Sequence, residues 1–291
     1  MKTSKNPNTA RYVLAGLMAL FGVGFFVITV RSGRADSALL FVVLPVVLAI
    51  ALTLIPGRRT HARVFRITTI TLLLAAVALH EGAVCVILAA PLVYALAHGT
   101  AAFIRATDGT RAVLPLPLLL LGGMEGIQPD WRVQPDQTVE VTRVVALDAA
   151  QVRARLAAGP QPVAARELPL RVLGVPMPQH VHGAGIAPGD RWEFGYHGSA
   201  HGPGGEIVTE VRDASDTGIA FTILQDTTIT ARWLQWRDAQ VRWHAVDGGH
   251  TEVTVVFSYR RGLDPSWYFG PLQDRLLHAG GDHMLDMLAL R

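Results

Sequence analysis

Hydrophobic residues dominate the first third of the chain, where they form four runs separated by charged or turn-forming residues. The runs cover residues 13–30, 39–55, 64–79 and 83–104. The first has 18 uncharged residues, and at about 1.5 Å per residue such a helix approaches the thickness of a hydrocarbon core. A single helix through the third and fourth runs would be about twice that thickness, so we place a turn at residues 80–82. The pattern predicts four transmembrane helices.

The first run has a second interpretation, a cleaved signal peptide. The run is longer than a typical signal, and the Arg31–Arg34 segment that follows it is a poor cleavage site. We therefore favour a retained helix.

Basic residues around the four runs predict their orientation. They lie before the first run, between the second and third, and after the fourth: Lys2, Lys5, Arg11, Arg58, Arg59, Arg63, Arg66, Arg105 and Arg111. With four spans these segments share one side of the membrane, and their positive charge favours the cytoplasm. The remainder of the chain is then expected in the cytoplasm, whereas three spans would place it outside.

From about Gln137 the pattern changes to β-branched residues, alternation and frequent turns. Asp148 is placed to cap a short helix that ends at Ala158. Strands are predicted over residues 138–147, 179–183, 190–197, 205–212, 218–226, 228–237, 239–246 and 251–260. Residues 271–290 return to helical spacing, with one broad apolar face formed by Leu272, Leu276, Leu277, Met284, Leu285 and Leu288. We expect Leu272, Leu276, Met284 and Leu288 to be buried. The order predicts an α+β fold in which a curved antiparallel sheet is covered by a long C-terminal helix, with a natural cavity between them.

This order, together with the stretch LDPSWYFGPL from Leu263 to Leu272, resembles the SRPBCC helix-grip superfamily. That superfamily includes polyketide cyclase/dehydrase-like, START-like lipid-transfer and birch-pollen-allergen-like domains. The stretch from Glu81 to Pro91 is similar to bacterial membrane proteins that place such a domain after several spans. The resemblance implies a transmembrane anchor over residues 1–112, a linker over 113–136 and a helix-grip domain over 137–291, in the bacterial inner membrane. It implies no catalytic residue, because the superfamily shares no catalytic constellation.

Positive and negative charges are distributed unevenly along the chain. Residues 1–112 contain 11 Lys and Arg against 3 Asp and Glu, whereas residues 113–291 contain 15 against 20. The basic character therefore belongs to the apolar half, and the acidic remainder argues against nucleic acid as a partner. The single cysteine, Cys85, excludes a disulfide framework or a Cys-based zinc site within one chain.

Histidines offer the only metal-site candidates. His180 and His182 share a face if they lie on a strand, and with His197 or His201 they form a possible zinc site. No local carboxylate completes a recognised pattern, so we expect surface histidines, no metal and no cofactor. His278 and His283 are five apart, which aligns two ligands poorly on a helix.

Tryptophans and arginines interleave near the end of the predicted sheet, where the aromatic rings form either core or the wall of a ligand cavity. The residues predicted to line a cavity are Trp233, Trp236, Trp243, Glu210, Arg232, His182 and Tyr268. Alternation places Trp243 with Val241 on one face of its strand and Arg242 on the other, although which face is inward stays open.

Three hypotheses about function remain. The favoured one is a membrane-anchored domain that binds an apolar or amphipathic small molecule of the lipid, polyketide or isoprenoid class. The second is a cyclase- or dehydratase-like enzyme that uses Glu210, Glu193, His182 or Arg232, although no catalytic motif is recognised. The third is a protein-interaction module on a membrane scaffold. The oligomeric state is left open. An ion or proton site at His80 and Glu81 is the alternative to a turn at the membrane surface.

Overall fold

The computed structural model describes residues 7–31, 42–54, 60–79, 83–106, 125, 128–198 and 204–291. The chain divides into two compact units. One comprises residues 1–121 with 200–202, and the other comprises residues 122–199 with 203–291.

Four helices make up the described part of the N-terminal unit. They are α1 (Pro7–Arg31), α2 (Leu44–Leu54), α3 (Thr60–Leu79) and α4 (Ala83–Ala106). Consecutive helices pack on one another. At Gly22 of α1 a Cβ atom would lie 2.7 Å from a methyl carbon of Val46 in α2, so this glycine allows the two helices to approach closely.

Each of the four predicted spans overlaps one of these helices. Among the described residues, one stretch, Thr60–Val77, lies in a helix long and apolar enough to cross a membrane. The other apolar helical stretches are shorter: Tyr12–Ile28, Leu44–Leu54 and Val86–Ala102. The predicted turn at His80 to Gly82 and residues 113–121 of the predicted linker lie outside the described residues. The four-span anchor therefore stays a prediction.

The C-terminal unit is an α+β structure, as predicted. Its strands are β1 (Asp136–Val145), β2 (His180–His182), β3 (Arg191–Tyr196), β4 (Gly205–Ala214), β5 (Gly218–Asp226), β6 (Leu234–Ala245) and β7 (Thr251–Arg261). Its α-helices are α5 (Ala149–Ala157), α6 (Leu168–Leu173) and α7 (Ser266–Met287), and short 3-10 turns cover Pro129–Trp131 and Ile229–Arg232.

All seven strands form one antiparallel sheet in the order β1-β7-β6-β5-β4-β3-β2. After β1 the chain leaves the sheet through α5 and α6 and returns at the opposite edge as β2. The last strand, β7, then pairs with the whole length of β1, from Asp136 opposite Arg260 to Val145 opposite Thr251. Helix α7 packs on β1 and β7. This arrangement fits a helix-grip fold.

Alternation along the strands separates an inner sheet face, which faces α7, from an outer face. A Cβ at Gly281 of α7 would meet Val141 at 2.6 Å and Phe257 at 3.4 Å, so these two side chains mark the inner face. The register then places Trp243, Val211 and Trp192 on the same face. All three are buried.

A fully buried part of the core, which we call the dense core, lies where β1 ends and β7 begins. Val145, Val253 and Trp243 belong there to one buried cluster with Leu285 of α7 and Val152 of α5, all with at most 2% of their surface exposed. The predicted cap of α5 is confirmed: the Asp148 carboxylate accepts the Gln151 N–H at 2.8 Å, and the Gln151 side chain accepts the Asp148 N–H at 2.9 Å.

The two strands predicted over residues 228–237 and 239–246 were wrong in detail. Residues Ile229–Arg232 form a 3-10 turn, and a single strand β6 follows, with a register shift between Trp236 and Asp238. The Asp226 carboxylate accepts both the N–H and the hydroxyl of Thr228, at 2.9 and 2.7 Å. This local bonding favours a turn despite the β-branched sequence.

The prediction for the last helix also needs correction, because α7 begins at Ser266, five residues before the predicted start at Pro271. The Ser266 N–H donates a hydrogen bond of 2.6 Å to the Glu125 carboxylate. This residue, which caps the helix, lies 141 residues away in sequence. Leu288 is buried as predicted, but Leu272, Leu276 and Met284 are only half-buried. The short helix α6 was not predicted.

We expect Leu285→Ala to lower the free energy of unfolding by roughly 2–5 kcal/mol, because this fully buried side chain fills the core below α7. Leu168→Ala, at an α6 position that is 68% exposed, is the control and should cost less than about 0.5 kcal/mol. Denaturant unfolding followed by tryptophan fluorescence measures this in the full chain, since all six tryptophans lie between residues 131 and 267. Equal losses would show that α7 does not close the core.

Candidate functional site

The inner face of the sheet is only partly covered. Beyond the dense core, a group of inner-face side chains and two α7 side chains are half-buried and pack against the core from one side. We call this group the interior patch: Tyr196, Ile207, Trp236, Ala239, Phe257, Leu277 and Met284. These side chains keep partial exposure, so the apolar sheet face that faces α7 is not completely covered.

Two adjacent glycines of α7 show why the patch is open. Gly281 is pressed against Val141, whereas a Cβ at Gly280 would meet no described atom within 4 Å. Neighbouring residues of a helix point about 100° apart. The side of α7 at Gly281 therefore contacts the sheet, whereas the side at Gly280 has no described atom next to it. Gly280 therefore borders open space.

Unpartnered polar atoms lie where β5 ends and β6 begins. Within the described residues, four buried side-chain atoms there have no hydrogen-bond partner: Asp226 Oδ2, Trp233 Nε1, Trp236 Nε1 and Gln273 Oε1. The Gln273 amide of α7 donates its N–H to the Trp233 carbonyl at 2.9 Å, which ties helix and strand together at this point. A buried polar atom without a partner costs about 1–3 kcal/mol, so the group is suited to a bound molecule or to ordered water.

Tyr196 contributes a hydroxyl group to the same region. Burial raises the pKa of Tyr196, and the charge of the Asp226 carboxylate raises it further. Tyr196 therefore stays a neutral hydroxyl that both donates and accepts hydrogen bonds. The apolar patch is thus combined with two unpartnered acceptors, two unpartnered N–H donors and one neutral hydroxyl.

A buried ionic network fixes the start of α7. Arg261, only 2% exposed at its side chain, bonds Glu125 at 2.7 Å and Asp264 at 2.9 Å. Glu125 also accepts the N–H groups of Ser266 and Val133, at 2.6 and 2.9 Å. Burial alone would raise the pKa of Glu125, but the hydrogen bonds from Ser266, Val133 and Arg261 outweigh it and hold the pKa at about 2. The carboxylate is therefore charged throughout the physiological range.

The structure separates the three tryptophans predicted to line a cavity. Trp236 lies in the interior patch, with its ring 5.6 Å from that of Phe257. Trp233 is buried beside Gln273 at the end of the patch. Trp243 is 2% exposed and fills the dense core instead.

The polar residues predicted to line a cavity lie elsewhere. Register places Glu210, His182 and Glu193 on the outer face, away from α7, and Glu210 forms an ion pair of 2.8 Å with Arg191. Arg232 is exposed in the 3-10 turn. Glu210, His182 and Glu193 therefore face away from α7.

Tyr268 is half-buried near the start of α7, with its ring packed between those of Trp267 and Phe269, at 5.9 and 4.9 Å. It belongs to an aromatic cluster at the N-terminal end of the helix.

The histidines do not form a metal site among the described residues. His180 and His182 share a face as predicted, and the ring of His197 lies 4.3 Å from that of His180. His201 lies outside the described residues. His283 is buried under α6. Burial lowers the pKa of His283, although the negative charges of Glu167 and Asp286 act to raise it.

Asp226, Gln273, Tyr196 and Gly280 were missed by the sequence analysis. Tyr196 alternates with Trp192 and Phe194 along β3, a signal that was available in the sequence. Gln273 interrupts the apolar face of the last helix, which is a second signal. Nothing local distinguishes Asp226 from a surface turn residue or Gly280 from an ordinary helical glycine.

No protein-family model matches the chain, and no curated protein matches it. Solved structures that are similar to this chain include norcoclaurine synthase from Thalictrum flavum in complex with dopamine and hydroxybenzaldehyde, with 11% identity over 53% of this chain and 87% of that chain, at a TM-score of 0.34. The AHSA1-like protein from Aeromonas hydrophila has 12% identity over 53% and 96%, at 0.32. The ginseng major latex-like protein 151 from Panax ginseng has 12% identity over 52% and 99%, at 0.30. The element order and sheet order of the C-terminal unit fit a helix-grip fold.

We expect Glu125→Gln to destabilise the C-terminal unit by about 1–3 kcal/mol near neutral pH, because Arg261 loses a buried charged partner while Asp264 remains. Since the pKa of Glu125 is lowered from 4.5 to about 2, its stabilisation is complete above about pH 4.5 and is lost as the pH falls toward 2. The difference between the variant and the natural chain should therefore shrink in acid.

Tryptophan-monitored unfolding between pH 7 and pH 3 measures this difference. Glu140→Gln is the control, because Glu140 forms an exposed pair with Arg242 at 3.2 Å and its loss should have little effect. If both variants behave alike at pH 7, the network does not stabilise the start of α7.

Proposed function

We propose that the C-terminal unit binds an apolar or amphipathic small molecule, of the lipid, polyketide or isoprenoid class, between the inner face of the sheet and α7. The observation that supports this most is the coincidence of a half-buried apolar patch with unpartnered polar atoms at its edge. Ligand sites in proteins typically combine mainly apolar walls with a few polar groups that orient the guest. A guest in this space would cover Trp236 and Phe257 and supply the missing hydrogen bonds.

The unpartnered atoms also specify the chemistry of the guest. The two indole N–H groups require an acceptor on the guest, whereas Asp226 Oδ2 and Gln273 Oε1 require a donor. A hydroxyl group satisfies both requirements. The proposal therefore favours a hydroxylated apolar molecule over a plain hydrocarbon.

Titration of the C-terminal unit, residues 122–291, with farnesol while following tryptophan emission tests the proposal. We expect a saturable change, and we expect Trp236→Phe to weaken binding by about tenfold, because this variant keeps an aromatic ring but loses the N–H donor. Trp267→Phe is the matched control, since Trp267 is 61% exposed at the start of α7, and it should bind as the natural sequence does.

No saturable change with farnesol or a fluorescent fatty acid would contradict the binding proposal. It would instead favour the alternative that the unit is a protein-interaction module. Equal affinities of the Trp236 and Trp267 variants would show that the guest does not use the indole N–H of Trp236.

An enzymatic activity remains the second candidate, and one observation favours it. Asp226 and Tyr196 place a buried carboxylate and a neutral hydroxyl in the same region, which is the minimum for proton transfer in a cyclase- or dehydratase-like reaction. Mass spectrometry of a guest before and after incubation separates the two functions. An enzyme would convert the guest, and Asp226→Asn would stop the conversion while leaving binding measurable.

We also propose that the four N-terminal helices hold the unit at the cytoplasmic side of a membrane, because basic residues flank the apolar runs on one side. Tethering would shorten the path of a lipid-soluble guest. Green fluorescent protein and alkaline phosphatase fused after Arg111 or after Arg291 test this topology. We expect fluorescence and no phosphatase activity at both positions, and phosphatase activity at either would contradict the topology.

A further inference from the structure

Three basic side chains meet where α3 begins and α4 ends. His61 of α3 lies with its Nδ1 3.3 Å from the Nδ1 of His98 in α4, and the rings stack at 5.5 Å. Arg105 of α4 bonds the other ring nitrogen of His61 through its guanidinium. We call these three residues the basic cluster.

The contacts determine where the ring protons lie. A guanidinium only donates hydrogen bonds, so the Nε2 of His61 must accept from Arg105 and its Nδ1 must hold the proton. That proton is donated to the Nδ1 of His98, which leaves the Nε2 of His98 protonated. The basic cluster therefore ends in two sets of donors, the other N–H groups of Arg105 and the Nε2–H of His98.

Neighbouring contacts hold His98 in place. Tyr94 stacks on His98 at 6.4 Å and on Phe65 at 5.1 Å. The Thr69 hydroxyl donates to the Phe65 carbonyl at 2.8 Å, so the Tyr94 hydroxyl donates to Thr69 at 2.6 Å. The two helices thus present the donors of His98 from a packed surface.

Within the part of the chain that the structure describes, α3 and α4 contribute no carboxylate to this end of the helix pair. The sequences of α3 and α4 contain no Asp or Glu, although α3 also contains Arg63 and Arg66. Cationic and N–H donors without a carboxylate partner are suited to phosphate oxygens, which accept several hydrogen bonds at once. Basic sites between transmembrane helices near the membrane surface have the features that bind lipid headgroups.

We propose that the basic cluster of His61, His98 and Arg105 binds a phosphate group, with Arg105 and the Nε2–H of His98 donating to its oxygens. The phosphate belongs either to the headgroup of an anionic lipid or to a soluble phosphate. The lipid source rests on the proposed membrane insertion of α3 and α4, whereas the soluble source does not. The site is separate from the interior patch of the C-terminal unit.

Native mass spectrometry of the full chain in detergent, titrated with phosphatidylglycerol, tests the proposal. We expect Arg105→Gln to weaken binding by at least about tenfold, the effect of losing a charge-assisted hydrogen bond. His98→Phe, which keeps a flat ring without the donor, should act in the same direction. Arg63→Gln is the matched control, because Arg63 lies one turn or less from His61 but outside the contacts of the basic cluster.

Inorganic phosphate distinguishes the two sources. If millimolar phosphate displaces the lipid, the site takes a free phosphate. If it does not, the site takes the lipid headgroup. Both results support phosphate binding. Equal weakening by Arg105→Gln and Arg63→Gln would overturn the proposal. Should the Arg105 variant fail to fold, equal binding of phosphatidylglycerol and of diacylglycerol with the same acyl chains by the natural sequence would overturn it as well.

Discussion

The contact between α7 and the β1–β7 edge of the sheet determines the rest of the C-terminal unit. Gly281 allows the helix backbone to approach Val141, and Arg143 reaches across from β1 to bond Asp282 and Asp286 at 3.0 and 2.7 Å. Asp286 is only 5% exposed at its side chain, so this pair is largely removed from water. Removing one partner of such a pair leaves an uncompensated charge, which is strongly destabilising. The intact pair therefore fixes the position of the helix.

That one-sided contact explains both the core and the site. Because α7 packs on β1 and β7, the region around Leu285 is filled, whereas the inner face farther along the sheet is only partly covered. Trp236 and Phe257 therefore keep some exposure although they face inward. The network around Arg261 and Glu125 holds the start of α7 in the same orientation, so the open side is a fixed feature of the fold.

Much of this architecture follows from local pattern. The strand Gly218–Asp226 and the Asp148 cap match their predictions because alternation and capping are local properties. The start of α7 could not be predicted, since the residue that caps it, Glu125, is distant in sequence.

The site was harder to predict than the fold. Alternation separates two faces of a strand but does not say which one a helix will cover, so it could not show that Glu210 and His182 lie on the outer face. The open space beside Gly280 depends on the position of a whole helix, and no local pattern encodes it.

Native mass spectrometry of the purified full chain, compared with the variant Gly280→Leu, tests the central claim most directly. The natural sequence should retain a small molecule that is released on denaturation. Gly280→Leu should abolish the additional mass of the bound small molecule without unfolding the chain. The leucine side chain enters the open space beside position 280, and leucine favours a helix more than glycine does. The bare mass of the chain in both proteins, with no small molecule released from the natural sequence, would contradict a guest between sheet and helix.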